Sequence, residues 1–217
     1  MNGPKRREGA GFTLVELLVA IAMIGLLVSI LAPSLMHARV LARMAKAHAE
    51  LRGITTALNL YREGSAGELP PTRFSCSSRT AYELPVELSA AGLLPGGRVN
   101  GVEAAEMPDA FQPGQSYRYR AVGDAIMNES TIMKNAASLW VPDGYPDCST
   151  DEGRYHKDPE ASPVLYAVWS VGPDPETGKI DIPGRAPLPS RYWMTGASET
   201  GVITHFLGAD GPIRTSP

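Results

Sequence analysis

Residues 12–33 read FTLVELLVAIAMIGLLVSILAP and form an apolar run that contains one charged residue, Glu16. As a helix, this run would rise about 30 Å, which is the thickness of the hydrocarbon core of a bilayer. The preceding residues 1–11, MNGPKRREGAG, are short, polar and basic. The positive-inside rule keeps such a flank in the cytoplasm and sends the rest of the chain outward. The sequence therefore predicts one membrane-spanning helix near its N-terminus.

The single acid within this run distinguishes the segment from an ordinary membrane anchor. A carboxylate at membrane depth costs about 2.5–3.5 kcal/mol on insertion scales, so Glu16 indicates a function and a partner. A secretory signal peptide would have a shorter apolar region, and a buried helix of a soluble protein is seldom apolar on every face. Gly25 and Ser29 are four residues apart and offer a small-residue face for another helix. The segment is therefore predicted to span the membrane and to associate with a second helix.

The helix is predicted to continue beyond Pro33, over residues 34–63. Pro33 cannot donate a hydrogen bond to the carbonyl of Ser29, so we expect a kink there; the alternative is that Pro33 ends the membrane span. Apolar residues then recur at three- and four-residue steps, which predicts an amphipathic helix whose apolar stripe packs on the downstream domain. The stripe consists of Met44, Ala47, Leu51, Ile54, Leu58 and Tyr61. His37 and His48 lie on the same helix and are predicted to be solvated.

Residues 64–217 are predicted to form the head of an α+β fold, in which the long N-terminal helix packs on a small antiparallel sheet. Almost all of the 19 prolines follow residue 69, which favours turns and short strands. Apolar and alternating runs predict four strands, and residues 80–94 are compatible with a short helix. The strands are expected at residues 116–122, 164–171, 191–195 and 202–207, and the stretches 95–114 and 135–163 are expected to be irregular.

The residues around position 12 resemble the signature of type IV prepilins. Gly11 is followed by Phe12, by Thr-Leu-Val-Glu-Leu-Leu and by the apolar run, with Glu16 as the fifth residue from Phe12 and Pro33 just beyond the run. The resemblance implies that residues 1–11 are a leader peptide, that a prepilin peptidase cleaves between Gly11 and Phe12, and that Phe12 becomes N-methylated. It also implies that Glu16 neutralises the Phe12 ammonium of a neighbouring copy, so that subunits polymerise through their helices into a filament.

Two stretches of the head resemble the major, G-type pseudopilins of type II secretion systems. Residues 109–120, DAFQPGQSYRYR, match in part, and residues 166–182, YAVWSVGPDPETGKIDI, match more closely. In that subfamily the second stretch holds a calcium ion, which implies that Asp174 and Asp181 bind calcium together with backbone groups at the start of the loop. Calcium takes six to eight oxygen ligands. Pro175 stands where the subfamily has glycine, and the alternative is a solvated acidic turn.

Composition and motifs bear on the remaining function classes. The net charge is −3, and removal of the basic leader would make the chain more acidic, so nucleic-acid binding is not expected. The four histidines are scattered, and the sequence has neither a Gly-x-Ser-x-Gly motif nor a P-loop, so no enzymatic activity is expected. Cys76 and Cys148 can form one disulfide outside the cytoplasm and would be two thiols inside it.

The resemblance implies a structural subunit of a type II secretion pseudopilus that drives protein export. Such a subunit is held in the bacterial inner membrane by a single pass, with its head in the periplasm. The expected partners are copies of itself, sister pseudopilins, the prepilin peptidase, the inner-membrane platform of the secretion system and membrane lipid. The alternative is a true type IV pilin or minor pilin of a surface fibre for adhesion, motility or DNA uptake. A third reading is a head that recognises one secreted protein.

Overall fold

The structure is a computed structural model that describes residues 12–74, 83–99, 102–105, 107–128, 131–173, 186–195 and 200–217. The chain divides into two compact units, Met1–Leu41 and Ala42–Pro217. The leader predicted at residues 1–11 lies outside the described residues. The predicted α+β class is confirmed, because a long apolar N-terminal helix is followed by small, mainly antiparallel sheets.

Helix α1 spans Leu14–Gly64 and contains Pro33 without interruption. Proline removes one backbone hydrogen bond from a helix interior, but the helix continues for many residues on both sides of Pro33. The kink at Pro33, and the alternative that the membrane span ends there, both stay predictions. The apolar part of α1 is exposed, and an 18-residue window reaches a mean hydropathy of 2.8. By length and composition α1 can cross a membrane. An apolar surface of this extent requires a covering of lipid or protein.

The second unit buries the later part of α1. Five of the six predicted stripe residues are buried, and Tyr61 is half-buried. Thr55 and Ala57 are also buried, which widens the stripe beyond the predicted three- and four-residue steps. Full burial of one leucine or isoleucine side chain stabilises a fold by about 1.5–3 kcal/mol. This stripe therefore accounts for much of the attachment between the helix and the rest of its unit. The five buried stripe residues are Met44, Ala47, Leu51, Ile54 and Leu58.

The head contains short strands and a short helix, α2, at Val86–Ala90. The strands are β1 Thr72–Phe74, β2 Gly96–Val99, β3 Val102–Ala105, β4 Arg118–Ala121, β5 Gly123–Met127, β6 Thr131–Ala137, β7 Leu139–Pro142, β8 Gly153–His156, β9 Val164–Ser170, β10 Ile203–Gly208 and β11 Ile213–Thr215. The largest sheet has the order β11-β10-β9-β4 and is antiparallel throughout. A second sheet, β1-β5-β6, includes one parallel pair, β1 with β5. Strands β2 and β3 form one hairpin, and β7 pairs with β8.

Three of the four predicted strands are confirmed as β4, β9 and β10. The fourth prediction, residues 191–195, is wrong: a 3-10 helix occupies Ser190–Tyr192, and Trp193 makes only an isolated bridge to Val202. Backbone hydrogen bonds from the N–H of Tyr192 to the carbonyl of Pro189 and from the N–H of Trp193 to the carbonyl of Ser190 close a turn here, where a strand ladder was expected.

The two stretches that were expected to be irregular also contain strands. Strands β2 and β3 lie within residues 95–114, and β7 and β8 lie within residues 135–163. Pro142 at the end of β7 pairs with Gly153, and proline is tolerated at such a position because β7 has β8 as its partner on one side only among the described strands. The short helix expected within residues 80–94 is confirmed only as α2.

Candidate functional site

The first helical turn carries the predicted assembly residues. Phe12 is 87% exposed and precedes α1. The backbone N–H and the hydroxyl of Thr13 donate hydrogen bonds of 2.9 and 2.8 Å to Oε2 of Glu16. The N–H of Glu16 in turn donates a bond of 3.2 Å to the Thr13 hydroxyl oxygen. This reciprocal arrangement is a capping box, which satisfies donors that a helix N-terminus otherwise leaves open.

The capping box gives Glu16 a local role in addition to its predicted pairing with a neighbouring copy. The signal was present, because threonine followed three residues later by glutamate is the capping-box pattern. Among the described residues, the hydrogen bonds that reach the Glu16 side chain all end on Oε2. The Oε1 atom therefore remains available to a donor from another chain. Thr13 also fixes the direction in which the carboxylate points.

The small-residue face of the apolar helix is open. A Cβ atom placed on Gly25 would have nothing within 4 Å. The hydroxyl of Ser29 donates a hydrogen bond of 2.7 Å to the carbonyl of Leu26 in its own helix. This hydroxyl therefore needs no hydrogen-bond acceptor from a second helix. A helix with a glycine and an internally bonded serine on one face allows close backbone approach in a membrane.

In the head, one buried carboxylate joins the two stretches that resemble pseudopilins. Asp109 accepts hydrogen bonds of 2.8 Å at Oδ1 from the Ser170 hydroxyl and from the Phe111 N–H, and one of 3.3 Å at Oδ2 from the Val171 N–H. Asp109, Ser170 and Val171 are all buried. Burial raises the pKa of Asp109, and the donated hydrogen bonds and the charge of Arg118 offset this only in part. Asp109 was not among the predicted site residues.

The first of these stretches also contacts α1 within the second unit. The hydroxyl of Tyr117 donates a hydrogen bond of 2.5 Å to Oε2 of Glu50 and accepts one of 3.3 Å from the N–H of Ala110. Burial, and next the bond to the Glu50 carboxylate, raise the pKa of Tyr117 well above its usual value, so the phenol keeps its proton and remains a donor. Hydrogen bonds therefore connect the stretch 109–120 both to α1, through Tyr117, and to the end of β9, through Asp109.

The predicted calcium ligands Asp174 and Asp181 lie outside the described residues. Among the described residues, no group of three or more histidine, cysteine, aspartate or glutamate side chains is placed to hold a metal ion. The Ser170 hydroxyl and the Val171 N–H, at the start of the predicted loop, are both bonded to Asp109. Calcium binding therefore stays a prediction.

Cys148 carries a free, buried thiol in the head. Its Sγ lies 3.7 Å from the carbonyl oxygen of Pro146, and burial raises its pKa to about 11. Cys76, with which Cys148 can form a disulfide, lies outside the described residues, as does Gly11 at the predicted cleavage site. The disulfide and the cleavage therefore also stay predictions.

Comparison with known proteins agrees with the N-terminal geometry. Residues 6–32 match the family described as "Prokaryotic N-terminal methylation motif", and this range covers the capping box and most of the apolar run. The chain is also 31% identical over 58 residues to the type II secretion system core protein G of Pseudomonas aeruginosa. That alignment covers 27% of this chain and 41% of the relative, so the chain spans less than half of the relative's length. No solved structure matches the chain.

The methylation motif therefore overlies an exposed, apolar helix that Thr13 and Glu16 cap. The chain is type IV pilin-like. Within that class it is similar to core protein G of type II secretion systems.

Proposed function

We propose that this chain is a structural subunit of a type II secretion pseudopilus, which polymerises through its N-terminal helix to drive protein export. The observation that carries the proposal is the methylation motif at residues 6–32, placed over an apolar helix whose surface is exposed. The similarity to a type II secretion core protein supports the choice of system. The proposal includes a single pass through the bacterial inner membrane with the head in the periplasm.

The first step is maturation. A prepilin peptidase hydrolyses the bond between Gly11 and Phe12, so that water is consumed, the leader ends in a carboxylate and Phe12 gains an amino group. A separate methyl donor then supplies a methyl group, which replaces one hydrogen of this amino group as a proton. The exposed position of Phe12 beside the start of α1 supports access to this bond. The new ammonium, on a helix N-terminus that already carries a partial positive charge, requires an anionic partner in the membrane.

The second step is assembly, in which Glu16 of one subunit pairs with the Phe12 ammonium of its neighbour. An ion pair is far stronger in a low dielectric than in water, and removal of one partner from a buried pair costs about 3–5 kcal/mol. The capping box supports this step, because Thr13 holds Oε2 and orients the carboxylate before the neighbour arrives. Repetition of one contact between unlike surfaces of identical subunits produces a filament.

The head favours a pseudopilus over a surface pilus. The two stretches that resemble G-type pseudopilins are bonded to each other through Asp109 in the head. We further propose that Asp174 and Asp181 hold calcium, that the chain has no enzymatic activity, and that its partners are copies of itself, sister pseudopilins, the prepilin peptidase, the inner-membrane platform and lipid. A true type IV pilin or minor pilin remains the alternative and would place the head on a surface fibre.

Mass measurement of the mature N-terminus tests the proposal. The full chain is expressed with and without a prepilin peptidase, and the expected product begins at an N-methylated Phe12. The matched variants are Gly11→Val, which should block cleavage, and Gly9→Val, which changes a leader glycine away from the bond and should not. An intact leader in the presence of an active peptidase would refute maturation. Loss of secreted proteins from the medium on deletion of the gene supports the pseudopilus, and loss of surface fibres with normal secretion favours the alternative.

A further inference from the structure

Two histidines meet where α1 lies against the largest sheet of the second unit. Nδ1 of His48, on α1, is 3.1 Å from Nε2 of His205, on β10. Nε2 of His48 is 3.2 Å from the backbone oxygen of Pro217. His205 is fully buried and His48 is half-buried. The expectation that His48 is solvated is therefore wrong, while His37 is exposed as predicted.

The hydrogen bonds determine where the protons lie at neutral pH. The oxygen of Pro217 can only accept, so Nε2 of His48 carries the hydrogen and Nδ1 of His48 is an acceptor. Nε2 of His205 must then donate to it, which leaves Nδ1 of His205 without a hydrogen. Among the described residues, this buried Nδ1 atom has no hydrogen-bond partner. Both rings are therefore neutral and both carry the hydrogen on Nε2.

The pair can hold at most one additional proton. If His48 is protonated, it donates from both nitrogens, and His205 must move its hydrogen to Nδ1, where it has no acceptor among the described residues. If His205 is also protonated, two N–H groups and two positive charges face each other at 3.1 Å. Neither arrangement can be relieved by solvent around His205, because that ring is fully buried.

The surrounding groups offset the added charge only in part. On α1, the cation of Arg52 lowers the pKa of both histidines. On the neighbouring strands, the residues paired with His205 are Val168 of β9 and Thr215 of β11, which are uncharged. Burial is the largest cause in both cases, and it lowers the pKa of His205 to about 4. The Pro217 oxygen raises the pKa of His48 but does not cancel the effect of burial.

We propose that the His48–His205 pair is an acid-sensitive contact, which holds α1, β10 and the last residues of the chain together at neutral pH and releases them in acid. Among the described residues, Ser216 also exchanges two hydrogen bonds with Thr204, of 2.9 and 3.0 Å. Release would loosen α1 from the largest sheet of the second unit at this contact. The inference does not depend on the proposed role in secretion.

The sign of the pH dependence follows from linkage. Both histidines have a lower pKa when folded than the value of about 6.5 that they have when unfolded. Their contribution to stability is therefore complete above pH 6.5 and is lost as the pH falls through the folded pKa of each ring, which is about 4 for His205. Over that range, each proton taken up on unfolding raises the unfolding constant by up to about tenfold per pH unit.

Unfolding of the full chain in detergent by urea, between pH 7.5 and 4, tests this contact. His48→Gln keeps an acceptor for His205 and a donor for Pro217 but cannot titrate, so it should fold at neutral pH and lessen the acid-induced rise in the unfolding constant. His156→Gln, a change to a half-buried histidine of β8, is the matched control and should leave the rise as in the wild type. Equal pH dependence in the wild type and in His48→Gln would overturn the proposal.

A second measurement remains informative if His48→Gln does not fold. Nitrogen NMR of the labelled histidine rings at pH 7.5 should show the hydrogen on Nε2 of both His48 and His205. The ring of His205 should also remain neutral at pH 6, where a histidine with an unperturbed pKa is largely protonated. A hydrogen on Nδ1 of either ring at pH 7.5, or titration of His205 near pH 6.5, would contradict the proposed contact.

Discussion

The hydroxyl of Ser170 donates a hydrogen bond of 2.8 Å to the carboxylate of Asp109, although the two residues are 61 positions apart in the chain. Ser170 ends β9, and Asp109 lies in the loop before β4. Strands β4 and β9 are paired from Arg118 with Trp169 to Ala121 with Tyr166. The bond therefore extends the contact between these two segments beyond the ladder, at the point where β9 leaves the sheet.

Asp109→Ala should destabilise the head, because it removes the acceptor for the Ser170 hydroxyl and the Val171 N–H in a buried position. A buried donor without a partner costs about 1–3 kcal/mol. Asp151→Ala is the matched control: its ion pair with Arg191 is about half exposed, and exposed pairs contribute about 0–1 kcal/mol. Urea unfolding of the full chain measures both. Equal losses in the two variants would show that the Asp109 contacts contribute no more than a surface pair.

The parts of the fold that were predicted correctly are those in which a single periodic pattern decides the structure. The apolar run before Pro33, the stripe that includes Leu51 and Ile54, and the apolar strand at residues 164–171 all belong to this class. The strands β7 and β8 could not be recognised in the same way. Pro142 and the polar residues of β8 interrupt the apolar alternation that marks a strand in the sequence. The pairing of β7 with β8, rather than the local sequence, therefore determines that both are strands.

The candidate sites divide in a similar way. Phe12 and Glu16 are recognisable because the prepilin-like motif is continuous in the sequence. Asp109 bonds to Ser170 and His48 contacts His205, and both partners lie on strands far along the chain. No local sequence pattern indicates either of these contacts. Thr13 is the exception, because its capping pattern with Glu16 is local and could have been found.

Glu16 has two roles that substitutions can separate. Glu16→Gln keeps an oxygen for the Thr13 donors but removes the charge, whereas Glu16→Ala removes both. If the charge pairs with the Phe12 ammonium of a neighbour, both variants should be cleaved normally and both should fail to form filaments, since an unpaired buried charge costs about 3–5 kcal/mol. Electron microscopy and N-terminal mass measurement provide the readouts. Normal filaments from Glu16→Gln would mean that capping alone is required.

Calcium should stabilise the full chain if Asp174 and Asp181 bind it. A ligand present at 100 times its dissociation constant stabilises the folded state by about 2.7 kcal/mol, which thermal unfolding in detergent with calcium or with a chelator can detect. The double variant Asp174→Asn and Asp181→Asn should unfold at the same temperature in both conditions. Glu176→Gln, which alters the other acid of the loop, is the control and should retain the calcium effect. Identical unfolding of the wild type with and without chelator would exclude the site.

Alkylation of Cys148 distinguishes the free thiol of the structure from the predicted disulfide. Burial raises the pKa of Cys148 to about 11, so little thiolate is present at pH 8, and the thiolate is the reactive form. Iodoacetamide should therefore react slowly with the folded chain and rapidly in denaturant, without any reductant. Mass spectrometry of the peptide that contains Cys148 follows the reaction. If labelling in denaturant also required a reductant, the bridge to Cys76 would be present instead.

Gly172 follows the end of β9 and tolerates no side chain. Its φ is +75°, and a Cβ atom there would overlap the carbonyl oxygen of Gly201. Gly114 has a similar φ of +94°, but a Cβ atom on it would meet nothing within 4 Å. Gly114→Ala should therefore cost only the strain of a left-handed backbone, about 1–2 kcal/mol. Gly172→Ala adds an overlap with backbone that cannot rotate away, which costs about 1–3 kcal/mol more. Thermal unfolding of the two variants compares these costs directly.

Gly172 also donates its N–H to the Ser170 hydroxyl, so displacement of Gly172 would weaken the bond from Ser170 to Asp109. Equal stability of the two variants would contradict the close packing of Gly172 against Gly201 where β9 ends.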